Sequence, residues 1–281
     1  MKYIALLTVA VLAQGEVVHS SLSTYLESKT FTNSKQKSDG KIIGVGADLH
    51  HNASSFKFAY EYGDTNTYQP PLKEDLKTQK LFLRYMYDIN DKLAINVNYL
   101  KVLSDNIVVT DGGAAYGLGL TYKPMKNAGI NFTQFYTRYD DFNVYQSDLS
   151  LAYIMKIQEV KVKLSVDTKY INLDIKNPTR FTNNAQNDYL TTGFKMHAHY
   201  SRYHAGGGFY MGKRVFGIMQ DGFKIQHHAM EFDRTYFGGV GVNISDFVLR
   251  MQYIYQRATE LPMNNQNVEV SNVRLLLNYK L

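Results

Sequence analysis

The sequence contains no cysteine and no tryptophan, and only five prolines in 281 residues. Without cysteine there is no disulfide and no thiolate metal site, a pattern that suits an exported bacterial protein without requiring export. Scarce proline beside 20 glycines favours strands with turns and kinks over helices. Bases exceed acids only slightly, 31 Lys and Arg against 25 Asp and Glu, and they are dispersed, so the footprint of a nucleic-acid binder is missing. Past the N-terminus no run approaches the ~18 apolar residues of a membrane helix. Mean hydropathy is correspondingly low, at −0.32.

Motifs for catalysis are also missing. There is no G-x-S-x-G, and Ser20 and Ser201 lie near His19 and His199 along the chain by a proximity that chance explains. "IQHHAMEFD" (His227, His228, Glu231, Asp233) lacks the H-E-x-x-H spacing of a metalloprotease and reads as a solvated pair in a loop. The glycine runs "HAGGGF" and "FGGVGV" precede no helix, so they are not phosphate cradles; bending strands or making room is the expected role.

What is abundant is tyrosine, 23 residues, with 15 phenylalanines. The N-terminus "MKYIALLTVAVLAQGE" places one basic residue before an apolar run and small residues at Ala13 and Gly15. This is the order of a signal peptide over residues 1–15, with Glu16 opening a mature chain of residues 16–281.

Strict alternation dominates the rest. In "VKVKLSVDTKY", residues 160–170, Val160, Val162, Leu164, Val166, Thr168 and Tyr170 share one face, with Lys161, Lys163, Ser165, Asp167 and Lys169 on the other. The same period recurs in "IIGVGADL", "LAINVNY" and "VRLLLNYKL", and fourteen strands are expected. The seventh, near 130–139, changes parity midway and suggests a bulge. Short links (50–54, 88–91, 123–129, 156–159, 201–202, 243–246) alternate with mostly longer polar ones (31–40, 63–76, 104–114, 172–187, 212–232, 257–267). Only the link at 140–143 breaks the long series. A Greek-key sandwich has no reason to alternate this way, whereas a membrane barrel does. Tyrosines such as Tyr60, Tyr85, Tyr122 and Tyr170 sit toward strand ends on the apolar face, as a membrane–water boundary favours.

On these features the chain resembles the bacterial outer-membrane β-barrels, in particular the monomeric fourteen-stranded porin-like channels. The resemblance implies an all-β, transmembrane, antiparallel up-and-down barrel with short periplasmic turns and longer extracellular loops. It also implies the outer membrane of a Gram-negative bacterium, contact with its lipids, and insertion by the barrel-assembly machinery. In that family the last strand usually ends in an aromatic residue; here "VRLLLNYKL" carries Tyr279 but ends in Leu281.

Parity assigns Lys57, Lys80, Arg84, Lys161, Lys163, Lys169, Lys195, Arg202, Arg250 and Arg274 to a wet lumen, with fewer acids: Asp48, Glu61, Asp148, Glu159 and Asp167. His197, His199 and His204 share that face and could bind zinc or copper or gate by protonation; unliganded, wet imidazoles are the plainer reading. The expected function is passive diffusion of small hydrophilic solutes or ions with mild anion preference, loop 212–232 being a candidate gate. No enzyme activity and no cofactor is expected. The alternatives are charges that pair and plug the lumen, a closed barrel acting through its loops in adhesion or assembly, a lipid-modifying barrel enzyme, and a soluble periplasmic β-protein.

Overall fold

The computed structural model describes residues 19–69, 72–106 and 109–281. The expected signal peptide and the mature start at Glu16 lie outside them. Fourteen long strands form the wall: β1 (His19–Thr32), β2 (Lys37–His51), β3 (Ser54–Thr67), β4 (Leu76–Asn90), β5 (Leu93–Asp105), β6 (Ala114–Met125), β7 (Ala128–Arg138), β8 (Phe142–Ile157), β9 (Val160–Ile175), β10 (Asp188–Tyr200), β11 (Tyr203–Arg214), β14 (Met230–Ile244), β15 (Phe247–Glu260) and β16 (Asn265–Lys280). Between β11 and β14 lies a two-stranded ribbon, β12 (Ile218–Met219) and β13 (Lys224–Ile225), joined by the 3-10 turn Gln220–Gly222.

Each wall strand pairs antiparallel with its sequence neighbours in the wall, and β1 pairs with β16 to close the ring. Closure removes the free edges that would otherwise leave backbone groups unpaired in hydrocarbon. All six connections at one end are two residues long (52–53, 91–92, 126–127, 158–159, 201–202, 245–246). Those at the other end run from 139–141 to the long segment 215–229. Both chain ends of the described wall therefore lie at the short-turn end. Strands run further than the alternation suggested, so the link expected over 31–40 is only 33–36 and that over 212–232 is 215–229.

Outward side chains are aliphatic and exposed: Leu118, Val240, Leu26, Met251 and Leu190 stand at 65%, 60%, 56%, 53% and 59% accessibility with no protein to cover them. Tyr116 and Tyr122 bracket Leu118 and Leu120 on β6, about 20 Å apart along the strand. That is close to the apolar height of a membrane barrel, ~25 Å. The expected parity change in β7 does not occur. Ile130, Phe132, Gln134 and Tyr136 pair one-to-one with Leu151, Leu149, Ser147 and Tyr145, and Phe135 is buried inside. The irregularity in that hairpin falls at the turn, between Tyr122 and Met125.

A candidate solute site inside the barrel

The interior differs between the two ends. Toward the long loops the inward positions turn apolar: Phe82, Leu100, Val102, Phe135, Val144, Ile171 and Leu173 are all buried. Segment 215–229 folds down among them, adding Val215, Phe216, Ile218, Ile225 and Ala229 to one cluster. Phe216 packs against Phe142, ring centroids 4.7 Å apart and planes tilted by 50°, and holds a left-handed backbone (φ 52°), a strained state that the surrounding packing must maintain. Gln146 on β8 grips the ribbon at both ends of one peptide edge. Its amide Nε2 donates to the Ile218 carbonyl, and its Oε1 accepts from the Ile218 N–H, each at 2.7 Å. At the tip, Gly222 has φ +97° and a Cβ there would meet Asn98 Oδ1 at 2.9 Å, so glycine alone fits. Loop 212–232 is thus a plug inside the lumen. The solvated pair expected at His227 and His228 is in fact enclosed, His227 buried at 4% exposure and His228 partly buried, their rings 4.1 Å apart. Burial pushes the His228 imidazole well below its usual pKa, with the positive side chains nearby adding to the effect.

Mid-barrel charges are paired across neighbouring strands. Lys80 and Glu61 are direct register partners 3.0 Å apart; Lys57 and Asp48 are partners at 2.5 Å. Lys169 bonds its partner Asp148, which also accepts from Gln146 at 2.7 Å. Lys195 reaches Asp167 diagonally, at 2.5 Å, and Tyr210 donates to the same carboxylate at 3.0 Å. At the seam, Arg274 on β16 binds Glu27 on β1 through Nε (2.8 Å) and Nη2. Lys29 and Lys224 approach the same carboxylate at 3.6 and 3.5 Å. Tyr25 donates to Glu61. Lys80, Lys169 and Arg274, expected on a hydrated wall, are instead buried, because the plug excludes water from above and the pairing satisfies them.

Toward the short turns the interior opens. Lys161, Lys163, His197 and Arg250 are exposed on the inward face, with no carboxylate in ion-pair range among the described residues. His199 and His204 stack at 4.4 Å, His197 lies 5.7 Å from His204, and His204 Nε2 pairs with Asn243 Oδ1 at 2.8 Å. Among the described residues no group of three His, Asp or Glu side chains is placed to hold a metal. Arg84 is half-buried on β4, within the same interior. Arg202 corrects the parity assignment. It occupies the turn after β10, exposed, where its Nη2 donates to the Tyr203 hydroxyl at 2.9 Å and its guanidinium lies over that outward-facing ring.

Two cavities run along the β10–β11–β14–β15–β16 wall. The upper, about 450 Å³, lies under the plug and is lined by Lys29, Lys80, Lys195, Arg214, Lys224 and Arg274. The lower, about 310 Å³, is lined by His197, His204 and Arg250 and shares Lys195, Phe237, Gln252 and Arg274 with the upper. No carboxylate appears among the described residues lining either. Space is left because inward positions on β11 and β14 are glycines: Gly206 faces Gly239 in register, with Gly208 and Gly241 beside them. Glu27 and Lys29 were not singled out by sequence, though parity with Ser23 and Tyr25 could have placed them. Arg214 and Lys224 lay in a stretch read as loop.

The fold is that of a transmembrane β-barrel of the bacterial outer membrane. Solved structures share the fold, among them the Ralstonia pickettii toluene transporter TbuX (TM-score 0.54, 13% identity, covering 95% of this chain and 90% of that one). The CymD monoaromatic hydrocarbon channel gives 0.56 at 11% identity (98% and 91%), and the Acinetobacter baumannii outer membrane protein Omp33 gives 0.53 at 8% (95% and 100%). No protein-family model and no curated protein matches the sequence.

Proposed function

We propose that the chain is an outer-membrane channel for small hydrophilic solutes, with a preference for anions and with segment 215–229 as its gate. One observation carries the reading: two adjoining cavities extend from the short-turn half of the barrel to the plug, lined by six lysines and arginines in the upper one and by no described carboxylate in either. Bases on a narrow low-dielectric path lower the barrier for anions. One neighbour is described as a toluene transporter and another as a monoaromatic hydrocarbon channel; the cationic lining here supports a polar, negatively charged solute instead.

The apolar plug favours a second reading, a sealed barrel acting through its loops. Planar-bilayer recording in a KCl gradient distinguishes the two, using the protein and a variant in which 216–228 is replaced by a short Gly-Ser link. The channel reading expects a larger conductance in the variant and a reversal potential on the chloride side. A folded variant that passes no current, or that prefers potassium, overturns it.

A further inference from the structure

We infer that the 450 Å³ cavity beneath the plug is a binding site for a small carboxylate carrying a ring-sized apolar body. The inference names the solute class of the proposed channel and rests on that reading for the ligand's route. The central residue is Arg214, at the end of β11. Its side chain is 0% exposed and lines the cavity. One nitrogen, Nη2, donates to the Thr235 hydroxyl; Nε and Nη1 have no hydrogen-bond partner. The nearest acid on the following strand, Asp233, is already held by Arg257, whose Nε donates at 2.9 and 3.1 Å. The guanidinium lies over the Tyr210 and Phe232 rings, 5.7 and 5.5 Å from their centroids, and a buried guanidinium with two nitrogens unbonded and no carboxylate of its own is a costly arrangement that an arriving anion relieves.

The backbone is shaped to put Arg214 there. The β11–β14 register slips between Met211 and Arg214, and Gly212 in the slip has φ +96°, where a Cβ would lie 2.3 Å from the Leu190 carbonyl oxygen. The bulge turns the strand end inward under the plug.

Charge and shape set the ligand class. Six bases line the cavity, and three carboxylates stand behind them: Glu27 with Arg274, Lys29 and Lys224; Glu61 with Lys80; Asp167 with Lys195. Among the described side chains, six minus three leaves a surplus of three positive charges. The remaining wall mixes amide and imidazole side chains with an apolar share made by Phe31, Phe232, Phe237, Met219, Met230 and Ile225. A volume of about 450 Å³ lies within the range of small-molecule sites, roughly 300–1,000 Å³. Inorganic anions satisfy the charge and leave the apolar wall empty. Neutral hydrocarbons fill the wall and leave Arg214 unpaired. A carboxylate on an apolar ring does both.

The test is calorimetric titration of the detergent-folded protein with benzoate, set against acetate (head without body), benzyl alcohol (body without charge) and inorganic phosphate. Saturable benzoate binding at least tenfold tighter than any of the three is expected. Arg214→Gln weakens benzoate at least tenfold and leaves benzyl alcohol unchanged. Phe237→Ala weakens benzoate and leaves acetate unchanged, so the idea stays testable if the arginine variant fails to fold. Equal affinity for benzoate, acetate and phosphate, or benzoate binding untouched by both substitutions, overturns the site. Reversal potentials on the same preparation separate the two claims. Anion-selective current without benzoate binding removes the site and keeps the channel, whereas benzoate binding to the intact protein, beside a gate-shortened barrel that passes no current, removes the channel and keeps the site.

Discussion

Lys224 hangs from the plug into the interior, 3.5 Å from Glu27. Burial lowers its ammonium to about 8, the Glu27 carboxylate pulling it partly back up. The group is therefore charged below pH 8 and neutral above, and each step upward removes a cation from the cavity. Anion preference is expected to decline between pH 7 and 9, read as a reversal potential moving toward zero, and Lys224→Gln is expected to flatten that dependence. Gln146 is the second decisive side chain. Gln146→Leu leaves the Ile218 N–H and carbonyl without partners; two net hydrogen bonds of about 1 kcal/mol each amount to about 2 kcal/mol. The closed-to-open ratio of the plug then falls about 30-fold, measurable as open probability in single-channel records. Neither residue was legible beforehand. Gln146 is one polar position among many on an inward face, and Lys224 lies in a segment that parity does not reach.

Strand by strand, the outward face was readable because hydrocarbon demands apolarity at every second position. That demand shows in Leu149 and Leu151 on β8 and in Leu275 and Leu277 on β16, all exposed. Where the interior is also apolar the contrast vanishes. Ile171 and Leu173 continue β9 inward, yet their stretch reads as the start of a loop, which is why strand ends were set short. The plug had a signal of its own: an extracellular link rich in Val215, Phe216, Ile218, Met219, Phe223 and Ile225 is too apolar to stay in water. The glycine-walled hairpin β11–β14 makes a further test. Gly239→Val fills the space opposite Gly206, and the single-channel current of the gate-shortened barrel is expected to drop to roughly half, with unchanged strand content by circular dichroism.

The molecule as a whole is oriented by what surrounds it. Leu118, lying between the two tyrosines of β6 and 65% exposed, faces the hydrocarbon of the bilayer. Leu118→Arg is expected to cost ~2–4 kcal/mol in urea unfolding from vesicles, and Tyr122→Arg, at the boundary, only ~0–1. Equal costs would contradict the assigned depth. The cylinder is sealed between its first and last strands, and there Glu27 and Arg274 meet across 247 residues of chain. Before β16 docks, Glu27 has, among the described cations, only Lys29 and Lys224 beside it, at 3.6 and 3.5 Å. The closing strand brings the tightest of its cationic partners, so the charge pair at the seam rewards a shut ring over an open sheet.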